Sequence, residues 1–219
     1  MNQPTPVAYA LKGLSFSMGA LNGMEVAMHF DDEATEVRHK QTLGVCDVSC
    51  LSRFAIKGAG AAQWLEANKV IIPATANSWN QQASGALVLR LGNSEFLLED
   101  PPGGNLCTAL HAAEKATKQG LYQVERCDAA LLLSGSLVSK LLAELCALDL
   151  REKALDEHAL LMTQVAGISA TIIRQNLQGE PVYRLWCDGT YGAFMWDTML
   201  EIAVEHGGGA VGLSSHYKL

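Results

Sequence analysis

The sequence predicts an α+β protein made of two ferredoxin-like β-α-β-β-α halves, residues about 24–120 and 121–206, within one domain spanning 1–219. Two observations carry this. The stretch Leu43–Leu65, LGVCDVSCLSRFAIKGAGAAQWL, places a turn with Asp47 and Ser49 before a short strand, Arg53–Lys57. Gly58 then opens a helix with Ala61, Trp64 and Leu65 at i, i+3, i+4. The same order returns later: Ala129–Leu133 is a strand, Ser134-Gly135-Ser136 a turn, and Val138, Leu141, Leu142 and Leu145 fall at helical spacing. Each unit is followed by a hairpin and a second helix, so the module is duplicated.

Taken in order, residues 1 to 22 lack a clear period and read as an arm holding at most one strand. Met24–Phe30 reads as a strand, and acidic Asp31–Glu36 as a solvated turn or first helical turn. After the first strand-helix unit, residues 74–84 read as a polar loop carrying Trp79, either a lid over the core or an anchor for a partner. Ala86–Leu91 and Glu95–Glu99 form a hairpin across Gly92-Asn93-Ser94. A helix over 105–118 turns Leu106, Leu110 and Ala113 inward and carries Lys115 and Lys118 near its end. In the second half a charged loop, 149–158, precedes strand Met162–Val165 and hairpin strands Ala170–Arg174 and Val182–Trp186. The last helix, Tyr191–Val204, is apolar on two sides at about 100° per residue. Tyr191, Phe194, Met195, Met199 and Ile202 gather on one side, and Trp196, Leu200 and Ala203 on the other. Such a helix is sandwiched within its own chain or covered by a partner, with Trp196 and Leu200 as the interface residues in the second case.

Composition excludes several functions. A net charge of −7 with no basic run does not suit a protein that tracks nucleic-acid phosphates. At 219 residues the chain buries roughly 70% of its unfolded surface and needs no disulfide or metal staple. The six cysteines lie mostly in apolar runs without a C-x-x-C pair, and the six histidines are scattered, so no metal site is expected. Reduced core thiols, no charged leader and no apolar run of about 18 residues lead to the expectation of a soluble, cytoplasmic protein. Gly58-Ala59-Gly60 lacks the third glycine of a phosphate cradle, and no G-x-S-x-G elbow is present. Asp47 could act as a general base, but Asp-x-Ser more often caps a turn.

These residues resemble a known superfamily. Gly44-Val45-Cys46-Asp47-Val48-Ser49, followed by Gly58 and Ala61-Ala62, is similar to the opening of the folate-binding aminomethyltransferases, the glycine-cleavage T-proteins. The sarcosine oxidase gamma subunit family, a short branch, is closer still. Residues 86–98 (ALVLRLGNSEFLL) resemble its A-L-W-L-G-P-x-E-W-L-L run, Cys146–Leu150 its C-x-L-D-L segment, and Tyr191–Trp196 its S-Y-A-x-x-x-W helix, with Thr190 and Gly192 departing from that pattern. Where T-proteins bring a carboxylate to the folate, the matching stretch Gly85–Val88 offers Val88, and their Asn-Asp pair stands here as Asn68-Lys69. Valine accepts no proton. The T-proteins' C-terminal barrel has no room in this length.

The resemblance therefore implies a non-catalytic, gamma-like subunit of a heterotetrameric sarcosine oxidase, the complex that demethylates sarcosine oxidatively in one-carbon metabolism. It implies no catalytic, cofactor or metal residue in this chain. It also implies an alpha subunit as docking partner, with beta and delta subunits beyond it. Those partners would hold tetrahydrofolate, FAD, FMN, NAD and zinc, and the isolated chain could form a homodimer. Two rivals are a stand-alone folate-dependent one-carbon transferase using Asp47 or Glu99 as its acid, and a folate-dependent regulatory protein of iron-sulfur assembly. The second rival's K-G-C-Y-x-G-Q signature is missing here.

Overall fold

A computed structural model describes residues 2–114, 120–151 and 154–219. Within them the chain is α+β, and it divides into two compact units. The first comprises residues up to Cys50, Cys127–Glu157 and Met162–Leu219; the second comprises Leu51–Arg126 and His158–Leu161. The unit boundaries differ from the expected halves, because the second unit is inserted between two neighbouring strands of the first.

The first unit opens with the antiparallel hairpin β1 (Ser17–Leu21) and β2 (Met24–His29). Helix α1 (Glu33–Thr42) follows, capped by Asp32, whose side chain accepts the N–H of Thr35 at 2.9 Å. Only the start of this helix was expected from the sequence. Its exposed face is charged and its core contact is made by few residues, so the 3.6-residue period is weak. Strand β3 (Gly44–Asp47) is buried at every position, leads into the expected turn at Asp47–Ser49 and was not itself expected from the sequence. Four consecutive buried residues show no alternation, and so a strand of this kind is hidden from a period-two reading.

The second unit holds β4 (Arg53–Lys57), α2 (Ala61–Ala67), β5 (Ser78–Gln81), β6 (Leu87–Gly92), β7 (Glu95–Glu99), α3 (Leu106–Glu114) and β8 (Tyr122–Val124). Lys115 and Lys118, expected in the last turn of α3, lie outside the described residues. The sheet order is β5-β6-β7-β4-β8, antiparallel throughout. Its core joins Phe54 and Ile56 of β4, Val88 of β6, Phe96 and Leu98 of β7, Ala61 and Leu65 of α2, and Cys107 and Leu110 of α3. Each of the Val, Leu, Ile and Phe side chains among them, fully removed from water, contributes about 1.5–3 kcal/mol.

The chain re-enters the first unit through β9 (Asp128–Ser134), then α4 (Val138–Leu145), β10 (Leu160–Val165), β11 (Ile168–Leu177), β12 (Glu180–Asp188), α5 (Gly192–Glu205) and the short β13 (Gly209–Ala210). The first two residues of β10 group with the second unit. The six-stranded order is β10-β11-β12-β9-β3-β13. β4-α2-β5-β6-β7-α3 thus matches β9-α4-β10-β11-β12-α5 in element order and in sheet order. Strand β5, placed where a polar loop was expected, completes the match.

Both strand-to-helix turns require glycine. Gly58 has φ +129, and a Cβ there would stand 2.1 Å from the carbonyl oxygen of Gly120; Gly135 has φ +106, and a Cβ would stand 2.5 Å from the backbone of Thr42.

Candidate functional site

The two carboxylates that could serve as an acid are both engaged. Asp47, at the end of β3, accepts the backbone N–H of Ser49 at 2.9 Å and the hydroxyl of Thr5. The Ser49 hydroxyl in turn accepts the N–H of Ala130 at 2.9 Å, tying the turn to β9. The Asp-x-Ser reading of the sequence therefore describes the geometry: Asp47 is buried and shapes a turn. Glu99, at the end of β7, forms a buried ion pair with Arg53 of β4, Nε to Oε2 2.7 Å. Asp100, beside it, accepts the N–H of Cys107 at 2.8 Å and so caps α3. Val88 lies in the core of the second unit, completely buried. Asn68 and Lys69 end α2, where the Asn68 side-chain amide donates to the Trp64 carbonyl at 2.9 Å and Lys69 takes φ +65. Neither Val88 nor Lys69 carries a carboxylate.

The tryptophans expected at an interface are placed differently. Trp196 is 0% exposed and stacks on Phe30 at 5.7 Å within the first unit. It is a core residue, because the face of α5 that carries it also carries Ala203 and packs inward. Leu200 is half-buried. Trp79 is buried on β5 with its ring edge-on to His158 at 5.5 Å, in the lid role. The outward residues of this region are Tyr191, Phe194 and Val204, about half or more exposed, interleaved with exposed Asp197 and Glu201.

One residue missed from the sequence is Glu36. Expected in solvent, it is fully buried. It accepts the N–H groups of Phe30, Asp31 and Gly212 and the hydroxyl of Ser215. Burial opposes its charge most, yet the hydrogen bonds together outweigh it and hold the carboxyl below its usual value. Glu36 thereby ties α1 to the C-terminal segment. No sequence signal pointed to this, since its partners lie about 180 residues away as well as nearby.

Beside that segment the first unit has a cleft of about 960 Å³ whose walls include His29, Lys40, Ser134, Gln178, His216 and Lys218. His216 is buried, and burial first, then the cations Lys40 and Arg184, push its imidazole down to about 3. The thiols of Cys46 and Cys107 are pushed up chiefly by burial, and that of Cys187 to about 11, so all three are protonated at neutral pH. Among the described residues no three His, Cys, Asp or Glu converge as a metal-holding group, and no helix is long and apolar enough to cross a membrane.

Solved structures share this fold. The glycine cleavage system aminomethyltransferase T from Bartonella henselae matches with a TM-score of 0.74 at 18% identity, covering 99% of this chain and 61% of that one. This chain thus spans less than two thirds of that protein's length. A chain of the heterotetrameric sarcosine oxidase from Corynebacterium sp. U-96 matches with a TM-score of 0.68 at 20% identity, covering 94% of this chain and 97% of that one. No curated protein matches the sequence. The family model of the GCVT N-terminal domain matches residues 7–219, nearly the whole chain. With the βαβββα unit used twice and the Asp-x-Ser turn ahead of the first, the chain belongs to the GCVT N-terminal domain family.

Proposed function

We propose that this chain is a non-catalytic, gamma-like subunit of a sarcosine-oxidase-like complex, docked on a large alpha subunit, with beta and delta subunits completing the assembly. The observation that carries the reading is the near end-to-end correspondence with a chain of a heterotetrameric oxidase, 94% of one against 97% of the other. The engaged state of Asp47 and Glu99 and the buried Val88 support it, because each candidate acid is used for structure. Tetrahydrofolate, FAD, FMN, NAD and zinc belong to the partners in this reading. Free cysteines, five of the six buried, suit the cytoplasm.

The docking face in this reading is the outer side of α5, where Phe194 is the central exposed aromatic residue. The test is affinity purification of the tagged chain from its own cells. Flavin absorbance and sarcosine-dependent oxygen consumption in the purified material are expected. Phe194→Glu is expected to reduce the recovered flavin at least about tenfold, a loss of about 1.4 kcal/mol or more of association, with the fold unchanged by circular dichroism. A chain that purifies alone, binds tetrahydrofolate at micromolar levels and transfers a one-carbon unit would overturn the proposal in favour of the transferase.

A further inference from the structure

Three buried polar atoms on the wall of the first unit's cleft lack partners. Ser134 and His216 are each 2% exposed, and among the described residues neither the Ser134 hydroxyl nor either ring nitrogen of His216 has a hydrogen-bond partner. A core histidine of purely structural use donates one ring nitrogen to a nearby carbonyl, and each unmet buried polar group costs about 1–3 kcal/mol. Lys40 joins the two. Its Cα and the Ser134 hydroxyl both crowd Gly44, where a Cβ would stand 3.2 Å and 2.7 Å from them. Its ammonium donates to the carbonyl of Ser215 at 3.2 Å, one residue before His216. The lysine side chain therefore runs from the serine toward the histidine, and all three residues wall the same cleft.

Each of the three brings a donor: a hydroxyl, an imidazole N–H and the remaining ammonium hydrogens. The cations that act on His216 are Lys40 and Arg184, whose Nη1 reaches the Tyr217 hydroxyl at 3.2 Å. Glu36 is committed to Ser215, Gly212, Phe30 and Asp31, with His29 Nδ1 3.5 Å from the same Oε2 that takes the Ser215 hydroxyl. Asp31, Glu33 and Glu180 stand exposed on the cleft walls together with Lys218, where solvent and salt screen them. Beside the buried Ser134 and His216 the cleft wall carries Lys40, which disfavours a cation there, and an apolar ligand would leave the buried polar atoms unmet.

We propose that Lys40, Ser134 and His216 form a binding site for a small oxyanion, a carboxylate or a phosphate. The site is independent of the subunit assignment, since all of its groups come from this chain's first unit. A bound negative charge favours the imidazolium and raises the His216 pKa from its depressed value.

The test is the ring-nitrogen NMR spectrum of His216 in the full chain at neutral pH. Sodium acetate and inorganic phosphate are titrated separately, with sodium chloride holding ionic strength constant. A saturable shift with a midpoint below about 10 mM is expected from at least one of them. Lys40→Gln and Ser134→Ala are each expected to raise that midpoint about tenfold without changing the backbone amide spectrum elsewhere. Response to acetate alone assigns a carboxylate ligand, and response to phosphate alone a phosphorylated one. No saturable shift, the same shift with chloride, or a midpoint untouched in Ser134→Ala, which removes a single oxygen, would show an ordinary water-filled cleft and overturn the proposal.

Discussion

Glu36 and His216 set how the first unit responds to acid. The folded-state pKa of Glu36 lies below its unfolded value, so its contribution is present above the unfolded pKa and is lost as pH falls through the folded one. Glu36→Ala leaves four donors without their acceptor, and a loss of about 2–4 kcal/mol is expected in urea unfolding at pH 7. His216 acts in the same direction for the opposite reason. Its folded pKa is about 3, against an unfolded value near 6.5, so between those values the unfolded chain binds the extra proton. Stability is therefore expected to fall by up to about 1.4 kcal/mol per pH unit over that window, and His216→Phe to flatten the slope. Neither residue was legible from its neighbours in the chain. A glutamate in an acidic run and a histidine near the chain's end carry the pattern of solvated residues, and only the return of residues 212–216 onto α1 makes them interior.

Among the elements, the two glycine turns and the β4–β7 pair are the most exacting. Gly58→Ala and Gly135→Ala each combine a positive φ with a contact of 2.1–2.5 Å to backbone, and each is expected to cost well over about 1 kcal/mol or to prevent folding, read as soluble yield and melting temperature. For Arg53 and Glu99 a double-mutant cycle separates a structural pair from a catalytic acid. Glu99→Ala alone is expected to destabilise, by up to about 3–5 kcal/mol, because it takes a carboxylate partner from a buried guanidinium, whereas Arg53→Met with Glu99→Leu is expected to cost less than the sum of the single changes. The turns were legible because a glycine standing between a strand pattern and a helical period marks the place where the backbone must reverse its conformation within one or two residues. Strand β5 was not, since Ser78, Asn80 and Gln81 are polar and only Trp79 turns inward.

For the whole molecule, α5 decides which prediction about assembly is sound. Trp196→Glu would bury a charge in the first unit's core and is expected to abolish folding, which says nothing about partners; Phe194→Glu addresses the surface alone. The α+β class, the doubled strand-glycine-helix module, the hairpins and the turn role of Asp47 were determined by the sequence alone, because periodicity, glycine and Asp-x-Ser act over a few residues. Which face of α5 is covered, that the second unit is inserted between β3 and β9, and that Glu36 and His216 are interior were decided only by the tertiary structure. Those facts depend on contacts between residues far apart in the chain, and the local pattern of a helix apolar on two sides is the same whether its own core or another protein covers it.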